Sequence, residues 1–139
     1  MVLDTTYTKK EHNNLINDVV GKPFSFLKSI KMKGIGSKRM IIDDASLNMK
    51  KYLNLVSDAN LELRPTGIII RINKGLNNFT WVMPHYQLVV YKTNGISIYA
   101  QGRFIHFKNN ATFNENKHFF ENMMNEKVKF ESKYKFSQT

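Results

Sequence analysis

The residue types best suited to chemistry in this chain are four histidines and one adjacent pair of carboxylates. The histidines are His12, His85, His106 and His118. No two of them have the HxxH or HExxH spacing that places two imidazoles on one metal ion. The pair Asp43 and Asp44 could bind a cation through oxygen atoms, but it more simply satisfies free amides at the start of a following helix. We therefore expect no catalytic residue, no metal site and no cofactor. The sequence favours a protein that is not an enzyme.

A basic, glycine-containing stretch over residues 30–42 is the first candidate for ligand binding. Six bases and no acid lie between Asp18 and Asp43, and glycines let a backbone approach a ligand closely. The stretch resembles the hairpin of helix-hairpin-helix DNA-binding motifs, which hold phosphates between two helices without reading the base sequence. On that resemblance, the anion-binding residues are Gly34, Gly36, Ser37, Lys38 and Arg39. A flexible basic loop is the alternative interpretation.

The charge of the chain is unevenly distributed. The 139 residues carry a formal charge of +10, and residues 60–110 contain six Lys or Arg against one carboxylate, Glu62. Such an imbalance creates a positive field that attracts nucleic acids, anionic lipids or acidic proteins, although it could also serve solubility alone. From this region we select Arg71, Lys92 and Arg103 as further candidates for anion binding.

The N-terminal part, residues 8–58, is predicted to be largely helical. Thr8 and Glu11 have the spacing of a capping box, and apolar residues then recur on one helical face until Gly21, which predicts a helix over about 9–20. A short helix could follow over 24–32, and another is predicted over 45–56. Residues 40–42 are compatible with a short strand or with the start of a helix.

From residue 61 onward the spacing of apolar residues changes to two, which predicts strands. Alternation over 67–74, 79–83, 86–90 and 96–100 is separated by short turns, among them Asn94-Gly95, a strong hairpin signal. Short turns cannot connect parallel strands, so an antiparallel meander of four to five strands is expected over about 61–108. Aromatic residues on these strands could be core residues or stacking platforms for nucleic-acid bases. Those considered as platforms are Trp81, Tyr91 and Tyr99.

A C-terminal helix is predicted to cover one face of this sheet. Thr112 and Glu115 have the spacing of a second capping box, and Phe and Met residues at helical spacing follow between 113 and 124. Residues 60–128 would then form the sheet and its helix, and residues 130–139 a polar tail. The expected fold class is α+β in a single domain spanning residues 1–139.

Residues 60–127 are similar to the C-terminal half of bacterial pleckstrin-homology-like domains. The shared order is a strand (Gly67-Ile-Ile-Ile-Arg71), a step around Pro84, an Asn-Gly hairpin, a strand (Phe104-Ile-His-Phe107) and a closing helix. The chain as a whole also resembles small bacterial proteins to which no activity is attached. The resemblance implies a sheet whose basic strands and loops bind anionic headgroups or peptides. The helical N-terminal part departs from the pattern, because that family begins with strands.

Two functions are compatible with these patterns. The first is a non-catalytic binding module whose sheet face contacts an anionic or protein partner. The alternative is a nucleic-acid-binding protein that places the basic Gly-Ile-Gly hairpin on phosphates. The chain has no cysteine, no apolar run of the roughly 20 residues that span a bilayer, and no signal-peptide pattern at its first residues. We therefore expect a cytoplasmic protein that does not span a membrane.

Overall fold

The computed structural model describes residues 1–7 and 9–138, with side chains up to residue 133. Its α+β class agrees with the prediction, and all strands belong to one antiparallel sheet. The strands are β1 (Val2–Asp4), β2 (Met40–Ala45), β3 (Ser57–Arg64), β4 (Gly67–Lys74), β5 (Asn77–Pro84), β6 (Val89–Tyr91), β7 (Gly95–Ala100) and β8 (Arg103–Lys108). The α-helices are α1 (Lys10–Val20), α2 (Phe26–Lys31), α3 (Ala111–Asn114) and α4 (Lys117–Gln138).

The order of the strands differs from the predicted meander. The described sheet has eight strands in the order β1-β5-β4-β3-β2-β8-β7-β6, so the prediction of four to five strands is wrong. It consists of two three-stranded meanders, β3-β4-β5 and β6-β7-β8, with β2 inserted between them and β1 added at the outer edge of β5. In β2, Met40 and Ile42 are buried on alternate positions, and its β-branched isoleucines favour a strand. The part predicted to be largely helical, residues 8–58, therefore also contains β2 and the start of β3.

The sheet is strongly curled. Six strand positions separate β5 from β6, which in a flat sheet is a distance of roughly 29 Å. Residues 85–88 connect these two strands, and such a link reaches about 17 Å at most. The curl brings Gln101, in the turn between β7 and β8, against β5, where it accepts a hydrogen bond from Trp81 Nε1 (3.1 Å). It also donates one to the carbonyl oxygen of Val82 (3.0 Å).

The main core fills the concave side of this curl. Trp81, Phe107 and Met40 are fully buried there, together with apolar residues from most strands. Phe119, Phe120 and Met123 of α4 pack against this core, which agrees with the predicted docking of a Phe/Met face. A smaller apolar cluster lies on the convex side, where Ile16 and Val20 of α1 contact Ile69 and Val82.

Several helix boundaries differ from the predictions. Thr8, half of the predicted capping box, lies outside the described residues, and Glu11 falls in the first turn of α1. At α3 the cap is Asn110 rather than Thr112, because its side-chain oxygen accepts from the Phe113 amide (3.2 Å). Residues 47–52 form a 3-10 helix in place of the helix predicted over 45–56.

The expected polar tail is helical as far as it is described. Residues 130–138 continue α4, and Lys127 donates a hydrogen bond to Glu131 one turn later. Such pairs at i, i+4 add a small stabilisation to a helix. In the described part of the chain, no helix combines the length and the apolar character needed to cross a membrane.

Candidate anion-binding pocket

The convex face of the first meander carries polar side chains at matching positions on neighbouring strands. Arg71 on β4 pairs with Asn60 on β3 and with Thr80 on β5. Asn73, two residues after Arg71, pairs with Asn78 on β5. Side chains two residues apart on a strand point to the same side, so these residues form two polar rows.

Helix α1 and the segment before it cover part of these rows. The apolar contacts of α1 lie at Ile16 and Val20, and Gly21 ends the helix with φ of 87°. The N-terminal half of α1 therefore stands over the polar rows, and a cavity of about 370 Å³ lies between them. Thr5, just after β1, closes one side and makes a hydrogen bond of 2.8 Å between its Oγ1 and the Oγ1 of Thr80.

The lining of this cavity is basic and rich in amides. Its basic side chains are Lys9, His12, Arg39 and Arg71. Its amide side chains are Asn13, Asn60, Asn73 and Asn78, and Thr5, Thr80 and Ile16 complete the lining. Among these described lining residues there is no Asp or Glu. Arg39 directly precedes β2, whose first residue, Met40, pairs with Ala59, the neighbour of Asn60 on β3.

Two of the described carboxylates outside the lining bond residues of the lining. Asp58 accepts a hydrogen bond from Asn73 Nδ2 (3.2 Å), and Glu62 bonds the base Arg71. Glu62 accepts hydrogen bonds from Arg71 Nη1 (3.0 Å) and from Arg64 Nε (2.5 Å), so one carboxylate is shared by two guanidinium groups. Arg64 is buried and also donates to Asn17 Oδ1 (3.0 Å) and to the carbonyl oxygen of Gly21 (2.9 Å). Arg64 therefore holds the end of α1, whereas the Arg71 side chain is 44% exposed and stays accessible from the cavity.

A nitrogen of His12 is buried without a hydrogen bond. The Nδ1 atom of this lining residue has no partner among the described residues. A buried polar atom without a partner costs free energy, and a bound ligand could satisfy it.

The structure brings two of the sequence-predicted anion-binding residues together. Arg39 and Arg71 line the same cavity. Arg103 lies elsewhere and donates to the carbonyl oxygen of Asn48 (2.7 Å), with its guanidinium 5.9 Å from the centre of the Tyr52 ring. Lys92 lies beside the turn between β6 and β7, next to Asn94 and Lys117. Lys92 and Arg103 therefore do not belong to this pocket.

Residues 34–39 do not form a hairpin between two helices. The strand β2 follows this stretch, and Gly36 forms a β-bridge with Glu62. The amide of Ser37 donates to the Leu61 carbonyl (2.8 Å), and the amide of Lys38 donates to Asn116 Oδ1 (2.8 Å). Gly34 has φ of 110° and serves the turn after α2. The helix-hairpin-helix prediction is therefore wrong, because two amides needed for phosphates already have partners within the fold.

The three residues of the predicted aromatic platform do not lie on one surface. Trp81 is fully buried, so its ring cannot stack on a ligand and belongs to the core. Tyr91 and Tyr99 are 55% and 38% exposed, and their rings meet edge to face with centroids 5.2 Å apart. Tyr99 also stacks on Phe104, with centroids 5.0 Å apart.

Asp43 and Asp44 do not cap a helix, because both lie in β2. Asp43 Oδ1 accepts a hydrogen bond from His106 Nδ1 (2.5 Å), and His106 Nε2 lies 3.2 Å from the Thr93 carbonyl oxygen. Burial lowers the pKa of His106, but these two hydrogen bonds and the charges of both carboxylates outweigh it, so its pKa is raised overall. Among the described residues, no group of three or more His, Asp or Glu side chains could hold a metal ion.

Most residues of the pocket were not found from the sequence. Asn60, Asn73, Asn78 and Thr80 lie on outward positions of strands whose inward residues are apolar, and that alternation was their only signal. The contributions of His12 and Asn13 depend on how α1 packs on the sheet, which a single sequence does not encode locally.

Comparisons of this chain with protein-family models, with curated proteins and with solved structures found no match. The resemblance of residues 60–127 to pleckstrin-homology-like domains, and of the chain to small bacterial proteins, stays a prediction. The chemistry of the cavity is therefore the basis for assigning a function.

Proposed function

We propose that this protein is a non-catalytic binding module that holds a small anionic ligand between α1 and the convex face of β3, β4 and β5. The observation that carries this proposal is the meeting of Arg39 and Arg71 with Lys9 and His12 around one cavity. These bases come from three separate parts of the chain, so their proximity is a product of the fold and not of a local charge run.

The side chains of the cavity favour a phosphorylated or carboxylated polar molecule. A guanidinium group can donate two parallel hydrogen bonds to two oxygens of a phosphate or carboxylate. These hydrogen bonds are strong because donor and acceptor carry opposite charges. The four asparagines can donate to and accept from hydroxyl or carbonyl groups of the same ligand. A volume of about 370 Å³ lies in the lower part of the range for small-molecule sites. The described lining has no Phe, Tyr or Trp, so a large ring for stacking is not part of the recognition.

Binding is favoured over catalysis because the described lining of this cavity has no carboxylate, and Asp4, which lies near His12 in the adjoining pocket, accepts hydrogen bonds from Thr6. General acid–base chemistry commonly needs two groups that exchange protons with the reacting atoms. Amides, hydroxyls and guanidinium groups orient and neutralise a ligand without reacting with it.

A titration with inorganic phosphate and pyrophosphate, followed by NMR chemical shifts of the full chain, tests this function. We expect saturable shifts at residues that line the cavity. Arg39→Gln and Arg71→Gln should each weaken binding about tenfold or more, because each removes charged hydrogen bonds. Lys108→Gln is the matched control, since it removes one exposed positive charge that does not line the cavity. Shifts spread over the whole surface, or equal losses in the control, would contradict the proposal.

Single-stranded nucleic acid is a second candidate ligand, favoured by the exposed pair Tyr91 and Tyr99 next to Lys92. Such rings can stack on bases while a lysine meets a phosphate. Retardation of a short single-stranded RNA at low salt, lost in Tyr91→Ala, would support it. An RNA that is not retarded at low salt would remove this candidate, because phosphate contacts are strongest there.

A further inference from the structure

The short helix α2 presents apolar side chains to solvent. Phe26, Leu27 and Ile30 are 79%, 72% and 58% exposed, and no residue of α2 is buried. Residues three or four positions apart are neighbours on a helix surface, so these three side chains form one apolar patch. An exposed group of large apolar residues marks a surface that meets another partner.

The apolar patch of α2 is surrounded by lysines. Between Asp18 and Asp43 the sequence contains six bases and no carboxylate. The exposed lysines in and around α2 are Lys22, Lys28, Lys31 and Lys33. Lysine stems are apolar and flexible, so they can lie along an apolar layer while the ammonium groups stay among charges and water.

The segments that flank α2 are fixed to the rest of the fold. Ser25 caps the helix by accepting from the Lys28 amide (3.2 Å). Asn122 of α4 donates to the Met32 carbonyl oxygen (2.8 Å). Phe24, Met32 and Ile35 pack against the main core. The chain on both sides of α2 is anchored to the fold. The apolar patch is therefore exposed although α2 is not a detached segment.

We propose that α2 is the contact of this protein with an anionic membrane surface. Phe26, Leu27 and Ile30 enter the boundary between headgroups and acyl chains, and the lysines meet the charges of anionic headgroups. A nucleic acid offers phosphates without an apolar layer beneath them. An acidic protein needs a groove shaped for three particular side chains, whereas a bilayer accepts them in any arrangement.

The contact is peripheral and reversible. Three apolar side chains enter only the interfacial layer, and four exposed lysines supply the electrostatic part. Salt screens charges at the protein surface within a short distance, so the affinity falls as the ionic strength rises.

Sedimentation of the full chain with lipid vesicles tests this proposal. We expect binding to phosphatidylcholine vesicles that contain phosphatidylserine, little binding to pure phosphatidylcholine, and weaker binding at high salt. The double substitution Phe26→Ser and Leu27→Ser should lower the binding about tenfold, because it removes most of the inserted apolar area. Its matched control is Leu47→Ser with Leu76→Ser, at residues that are 86% and 95% exposed elsewhere on the surface.

The charge contribution is tested separately. Lys28→Glu with Lys31→Glu should abolish the preference for phosphatidylserine, whereas Lys10→Glu with Lys108→Glu, which changes the net charge equally, should keep it. Undiminished binding of the Phe26 and Leu27 variant, or equal binding to both vesicle types, would overturn the proposal.

Two further probes distinguish the other partners. One probe is a single-stranded RNA and the other is polyglutamate. The proposal fails if the protein does not bind vesicles but binds one of these probes, and if the Lys28 and Lys31 variant no longer binds it. In that case the patch serves a nucleic acid or an acidic protein. Arg71→Gln leaves α2 intact and should bind vesicles as the unaltered chain does. A failed phosphate titration would therefore not affect the result for α2.

Discussion

His85 is fully buried directly after Pro84, and neither of its ring nitrogens has a hydrogen-bond partner among the described residues. It lies beside Phe130 of α4, with ring centroids 5.7 Å apart. Burial lowers the pKa of His85 to about 4, because a charged imidazole would lose its hydration; Glu126 and Lys127 have smaller, opposing effects. The folded protein therefore keeps a neutral ring at pH values where the unfolded chain takes up a proton.

Replacement of His85 by Leu should make the stability less dependent on pH. Histidine in the unfolded chain has a pKa of 6.5, and above this pH the neutral ring makes its full contribution to the free energy of unfolding. The contribution decreases as the pH falls from 6.5 towards about 4. His85→Leu should cost less than about 1.5 kcal/mol at neutral pH, because the volumes are similar. Urea unfolding at neutral and at acidic pH measures the difference. An equal loss of stability on acidification in both proteins would contradict this account.

The association of α1 with β4 and β5 depends on the absence of a side chain at Gly67. A Cβ atom built there would lie 2.4 Å from the Met83 carbonyl oxygen and 2.6 Å from Val20 Cγ1. The first contact is with backbone of β5 and the second with α1, so relief requires that strand or helix to move. This close approach also helps to fix the helix that covers the anion-binding pocket.

Gly67→Ala should therefore destabilise the fold by about 1–3 kcal/mol, as overpacking of a core does. Gly36→Ala is the matched control, because its Cβ would meet only the Leu61 carbonyl oxygen at 3.8 Å, an ordinary contact. Denaturant unfolding of both variants gives the two free energies. If Gly36→Ala costs as much as Gly67→Ala, the close packing of α1, β4 and β5 is not the cause.

The closure of the curled sheet depends on Gln101. Its amide bonds to Trp81 Nε1 and to the Val82 carbonyl oxygen join the turn between β7 and β8 to β5. Gln101 also has a left-handed backbone, with φ of 57°, and Asn94 shares this conformation with φ of 47°. Alanine at either position meets a similar backbone strain, but only at Gln101 does it remove a contact across the curl.

Gln101→Ala should cost about 1–3 kcal/mol more than Asn94→Ala, because it leaves the buried indole N–H of Trp81 without a partner. The chain has one tryptophan, so fluorescence reports on this site directly. We expect a red-shifted emission and a lower unfolding midpoint for Gln101→Ala. Equal losses in the two variants would show that backbone strain, and not closure, explains the effect.

The sequence predicted those parts of the fold that depend on local patterns. The strands β3, β4, β5, β7 and β8 follow an apolar period of two, and α1 and the apolar face of α4 follow the helical period. The order of strands could not be predicted, because β2 pairs with β8 across nearly half of the chain. The short apolar run at Met40 is compatible with either kind of element until its partners are known.

The candidate site was predicted only in part, because the sequence does not show which distant residues the fold brings together. Arg39 and Arg71 were selected for their charge, but so were Lys92 and Arg103, which lie on other surfaces. Charge counts along a sequence do not show which bases converge. The polar partners Asn60 and Thr80 become visible only when the register sets them beside Arg71.

The position of β2 between the two meanders has a consequence for folding kinetics. Each meander contains only local connections and can form independently, whereas pairing Ile42 with Phe107 closes a long loop and carries its entropic cost. We therefore expect the junction of β2 and β8 to form late, after the two meanders. Weakening it, for example at the His106–Asp43 pair, should accelerate unfolding while leaving the folding rate nearly unchanged. On this account, we expect the lifetime of the native state to depend on the contacts where β2 meets β8.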